Sequence, residues 1–167
     1  NVGYNFMHSP YVTGNAYVNQ WDMTMEGARR FVDALGGKGK IFAMMPIAGG
    51  KFHVAGPSNG GIAALHVAAR HPQYFLSATA FPGYLWQPSE AKLRALATLC
   101  VFMYVGEHDE YRWHGEMARE VEFLRAQGAV ARFTAEKGQP HRLETLAGTR
   151  ASRLFDGFEE ATRGCTR

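Results

Sequence analysis

The stretch KFHVAGPSNGG, residues 51–61, decides how this chain is read. Its first half, Phe52 to Ala55, is a short run suited to a strand, and its second half opens a small, Ala-rich helix from Asn59 to Ala69. The helix stops at Arg70-His71-Pro72. Between the two lie Gly56, Ser58 and Gly60. A strand that reverses into a helix within three residues holds its central serine in a strained backbone conformation, and glycines two before and two after keep neighbouring side chains clear. Gly61 allows close packing of the helix. The turn presents the Ser58 hydroxyl, and the helix start aims backbone N–H groups, that of Asn59 first, at the same point.

Outward from this turn the chain alternates. Towards the N-terminus, Val2 to Met7 reads as a strand, Thr24 to Leu35 as a helix stopped by Gly36-Gly37, and Ile41 to Met45 as an apolar run. Towards the C-terminus come a strand from Leu76 to Phe81, a helix from Ser89 to Leu99 and a buried strand from Val101 to Val105. A long amphipathic helix from Trp113 to Gln127 follows, then a strand from Val130 to Thr134 and a closing helix over about 149–162. Such alternation argues for an α/β fold, a mostly parallel sheet with helices on both faces. One connection breaks the scheme. Residues 46–51 are too few to cross over between parallel strands. Either the flanking runs form one interrupted strand or hairpin, or a segment is missing near Gly50 and Lys51; the regularity elsewhere favours the second.

With 167 residues, 46% of them hydrophobic, the chain has material for one sizeable core, so residues 1–167 are expected to form a single domain. The formal charge of +3 is spread without runs, and the aromatic residues are not interleaved with Arg and Lys, which argues against nucleic-acid binding. No apolar stretch approaches the roughly 20 residues of a membrane span. The start, NVGYNFMHSP, has neither an initiator methionine nor a basic leader, and the expectation is a soluble piece of a longer chain. Cys100 and Cys165 imply no disulfide framework, and no pair of histidines with a carboxylate has metal-binding spacing, so no metal or cofactor is expected. The compartment and any homo-oligomer are left open.

Two further loops bear on Ser58. The strand over 101–105 runs into Gly106-Glu107-His108-Asp109, and the last strand is followed by Gly138-Gln139-Pro140-His141. The order Ser, Asp, His is the one expected when three loops lie at the carboxyl ends of successive parallel strands. A serine hydroxyl is a poor nucleophile until a base takes its proton; imidazole does this near neutral pH, and a carboxylate on the far ring nitrogen fixes its tautomer. His141 is the candidate base and Asp109 the candidate acid. The bland alternative for Asp109 is a carboxylate capping the helix that starts at Trp113. Glu107 competes for the acid role, although its parity along the strand turns it away.

On these motifs the chain resembles the α/β-hydrolase fold superfamily, and among its compact members the dienelactone-hydrolase-like and simple carboxylesterases. GPSNGG matches the nucleophile elbow, VFMYVGEHD the strand delivering the acid, and GQPH the loop delivering the histidine. The resemblance implies a serine esterase acting on a small-molecule ester through an acyl-enzyme, with catalytic triad Ser58, Asp109 and His141 and an oxyanion hole formed by backbone N–H groups of Asn59 and Ser9. It also implies a domain incomplete at its N-terminus, because the family's first strands have no counterpart and His8 is followed by Ser9-Pro10 where the family has His-Gly. A thioesterase, peptidase or acyltransferase would use the same three residues. A non-catalytic, hydrolase-like binding module is the rival from another class.

Tyr84, Leu85 and Trp86 follow Phe81-Pro82-Gly83 in the loop that commonly lines the substrate pocket of such enzymes; core packing beneath the next helix is the equal alternative. His53 and His66 read as packed or surface histidines, and His108 as a solvated loop residue. Residues 36–40 lack the spacing of a phosphate loop.

Overall fold

A computed structural model describes residues 50–165. Strand β1 (Phe52–Gly56) leads to helix α1 (Asn59–Arg70), then β2 (Phe75–Ala80), α2 (Glu90–Leu96), β3 (Cys100–Gly106), α3 (His114–Ala126), β4 (Ala131–Glu136) and α4 (Ser152–Thr162). The four strands form one sheet in the order β1-β2-β3-β4, every pair parallel. The fold is α/β as expected. The proposed strands over 2–7 and 41–45, the helix over 24–35, the glycine-rich residues 36–40 and the question of a missing connection near Gly50 all reach into residues outside those described.

The apolar run CVFMYV explains why β3 is central. Successive side chains of a strand point to opposite faces, and a strand covered on both faces reads as continuous hydrophobics. Val101, Met103 and Val105 enter the larger core with Ile62, Leu65 and Ala68 of α1, Leu96 of α2 and Met117, Val121 and Leu124 of α3. Cys100, Phe102 and Tyr104 face the other way, where Ala161 and Gly157 of α4 lie against them. Each fully buried Leu or Met side chain of the larger core contributes roughly 1.5–3 kcal/mol.

Helix α4 is also tied to β4 by charge: Arg153 bonds the Glu136 carboxylate at 2.8 and 3.1 Å, and Arg132 pairs with Glu160. The Arg153 bond holds the Glu136 carboxyl below its ordinary range. Cys100 and Cys165 form a disulfide with their Cα atoms 6.3 Å apart, a pairing not expected from the reading that these two cysteines imply no disulfide framework. Their distance in sequence hid the pairing, because it needs α4 to return across the start of β3. Two helices are shorter than expected. Ser89 sits outside α2 and caps it by accepting the Lys92 N–H at 3.3 Å, while residues 148–151 form a 3-10 turn before α4 begins at Ser152.

Candidate active site

Three loops at the carboxyl ends of β1, β3 and β4 bring Ser58, Asp109 and His141 together. Ser58 stands between β1 and α1 with φ 53° and ψ −123°, in the region that non-glycine residues rarely adopt. The tightness of the turn has a measurable cause at Gly56, where a Cβ would lie 2.3 Å from the carbonyl carbon and oxygen of Gly60. A serine preceding a helix usually caps it with its hydroxyl. Ser58 makes no such cap, and its Oγ lies 2.8 Å from His141 Nε2. Asn59, whose N–H is the first oxyanion candidate, is the first residue of α1.

The far nitrogen of the ring, His141 Nδ1, lies 2.9 Å from Asp109 Oδ1. The Asp109 side chain is 1% exposed and that of His141 13%. Burial of a carboxylate requires partners, and the loop supplies them: Oδ1 accepts the Tyr111 N–H at 3.0 Å and Oδ2 the Trp113 N–H at 3.2 Å. The capping alternative for Asp109 and its contact with His141 thus hold together, since one carboxylate does both. Trp113 and Tyr111 stand edge-on to the imidazole, with ring centroids 4.7 and 4.6 Å away, and enclose it on that flank.

A family model described as "Putative esterase" matches residues 41–156, more than half of the chain. The chain belongs to this esterase family. Its fold is shared by solved structures of the α/β-hydrolase type. Esterase PE8 aligns with 87% of this chain and 64% of its own at a TM-score of 0.60 and 17% identity. Acyl-protein thioesterase 2 from Zea mays aligns with 67% of this chain and 56% of its own at a TM-score of 0.51 and 17% identity. The chain therefore spans about three fifths of the length of these structures. No curated protein matches it in sequence.

In this esterase-family chain the remaining candidates divide. Ser9, the second expected oxyanion donor, lies outside the described residues. Leu85 is fully enclosed in the core, and Tyr84 and Trp86 are partly buried against that core, which is the packing side of the two readings given for this loop. A polar tether holds the backbone at this point: both carboxylate oxygens of Glu120 accept the Leu85 N–H, at 2.8 and 3.0 Å. Tyr84 stands edge-on to Trp113 at 5.1 Å and extends the aromatic flank of His141. His53 is bound to Ser77 Oγ at 2.8 Å and Thr162 Oγ1 at 3.2 Å, away from the site, and His66 is buried in α1. His108 is exposed, and Glu107 faces the histidine loop rather than the imidazole.

Glu120 was missed by reading the sequence, although it shares the helical spacing of the buried Met117, Val121 and Leu124. A carboxylate on such an apolar stripe is the signal that could have found it. Burial pushes its pKa up to about 8. No group of three or more potential metal ligands occurs among the described residues, nor does any helix there have the length and apolarity to cross a membrane.

Proposed function

We propose that the protein is a serine hydrolase cleaving a carboxylic ester through an acyl-enzyme, with Ser58 as nucleophile, His141 as base and Asp109 as the acid that orients it. The observation carrying this reading is the hydrogen-bonded line from Ser58 Oγ through both nitrogens of His141 to Asp109, with contacts of 2.8 and 2.9 Å. A carboxylate on Nδ1 keeps the ring proton there, which leaves Nε2 as the acceptor for the serine O–H. Oγ attacks the ester carbonyl carbon as its proton passes to Nε2. The carbonyl electrons move to oxygen, where the Asn59 N–H and a donor around Ser9 would hold the oxyanion. On collapse the alcohol leaves with the proton from Nε2. Water repeats the sequence to release the acid and restore Ser58. The base is expected to contribute about 10²–10⁴-fold of the acceleration.

Membership of the esterase family supports ester hydrolysis. The chemistry accommodates a thioester equally, and a rate comparison of matched oxygen and thiol esters would separate the two. Hydrolysis of short-chain and medium-chain p-nitrophenyl esters, beside Ser58→Ala from the same preparation, tests the proposal. The variant is expected to lose at least about 10³-fold in kcat/KM. Equal rates in the two proteins, or none in a demonstrably folded wild type, would move the reading to a non-catalytic binding module.

A further inference from the structure

Five consecutive residues leaving β3 each meet the segment that leaves β4. At Gly106 a Cβ would lie 2.2 Å from the Pro140 carbonyl oxygen and 2.3 Å from that of Gln139, so the two loops touch backbone to backbone. Glu107 donates its N–H to Glu136 O at 3.0 Å, and its Oε2 accepts the Gly138 N–H at 2.8 Å. His108 donates its N–H to Gln139 O at 2.8 Å. Asp109 holds the His141 ring, and Glu110 Oε2 accepts the His141 backbone N–H at 2.9 Å.

The histidine loop has little of its own to hold it. Gly138 takes a positive φ of 67°, Pro140 has no N–H to donate, and the bonds within the segment are those of Gln139 N–H to Glu136 O at 3.2 Å and of Glu144 N–H to Gln139 Oε1 at 3.1 Å, neither of which holds the His141 amide. Asp109 restrains the imidazole at Nδ1, but a contact at the ring edge leaves free the backbone from which the ring hangs. We propose that Glu107 and Glu110 are positioning residues that clamp the Gly138 and His141 backbone amides, and so fix where His141 delivers Nε2 to Ser58. This rests on the reading of His141 as base.

The bond from the His141 N–H is the main cause that holds the Glu110 carboxyl below its ordinary range, so the acceptor stays ionised across neutral and mildly acidic pH. Both glutamates are exposed, and exposed charge-assisted contacts add little to global stability. Their effect is one of placement, and small displacements of a catalytic group lower rate steeply.

The test uses Glu110→Ala, Glu110→Gln and the double variant Glu107→Ala/Glu110→Ala. It reads kcat, KM and Tm together with the hydrogen-exchange rate of the His141 amide by NMR. In Glu110→Ala, kcat is expected to fall about 5- to 20-fold with KM within about twofold, and the His141 amide to exchange about tenfold faster or more. Tm should stay within about 1 °C. Glu110→Gln keeps an acceptor oxygen and should restore most of both, while the double variant should exceed the single one. Wild-type kcat and exchange in Glu110→Ala and in the double variant would overturn the proposal, as would a loss that Gln does not restore. If the wild type hydrolyses no ester yet Glu110→Ala still frees the His141 amide, the clamp stands and the catalytic reading of His141 falls.

Discussion

Asp109 carries three bonds at once, to His141 Nδ1 and to the backbone N–H groups of Tyr111 and Trp113. Its substitutions should therefore separate two effects. Asp109→Asn keeps the shape and can still accept a backbone N–H, but its amide can turn an N–H towards Nδ1 and favour the wrong tautomer. It is expected to lower kcat by about 10³-fold or more with little loss of Tm. Asp109→Ala should lower kcat as far and also destabilise the fold by about 1–3 kcal/mol, because two backbone donors lose their acceptor. Denaturant melts and ester hydrolysis on the same samples measure both, and a Asp109→Asn protein with near-native kcat would contradict the assigned role. The three polar residues were legible in the sequence as candidates because the proposed chemistry calls for these types in this order after short apolar runs. Their support was not. Glu110 looks like any loop carboxylate until the two loops are in contact, and Tyr111 and Trp113 show their relation to His141 through space alone.

At the scale of elements, the tether from α3 to the loop after β2 makes a prediction with an unusual sign. Burial raises the pKa of the Glu120 carboxyl in the folded state to about 8, from the 4.5 of an ordinary glutamate. Between these values the native state holds a proton that the unfolded chain has released. Stability is therefore fullest below the unfolded pKa and falls as pH rises through about 8, by at most roughly 1.4 kcal/mol per pH unit from this group. Glu120→Gln, which keeps an acceptor for the Leu85 N–H, should flatten the slope of unfolding free energy between pH 5 and 8 measured by urea titration. An unchanged slope would show that Glu120 does not titrate there. The strands were legible because β3 is buried on both faces and reads as an unbroken apolar run. The end of α2 was not, since the apolar spacing continues to Leu99 while Thr98 Oγ1 bonds Ala95 O at 2.7 Å and the chain turns out of the helix.

Across the whole molecule, a parallel sheet collects three loops at one edge, and residues far apart in sequence become one site. The same return of the chain joins Cys100 to Cys165 across 65 positions. Closing a loop of that length constrains the unfolded chain by an upper estimate of ~4 kcal/mol, so reduction should lower Tm by roughly 5–15 °C. Equal melting with and without reductant, in protein shown by mass to change by two hydrogens on reduction, would contradict that role. The disulfide was illegible in sequence for the same reason the approach of Ser58, His141 and Asp109 was: both depend on which strand neighbours which.

Trapping the acyl-enzyme tests the role of Ser58 without recourse to rates. The wild-type protein is mixed with p-nitrophenyl acetate, quenched in acid within the first turnovers, and mapped by peptide mass. Ser58 as nucleophile predicts an acetyl group on that residue, absent from Ser58→Ala. Ester turnover without any adduct on Ser58, or an adduct on another residue that persists in Ser58→Ala with undiminished turnover, would contradict it.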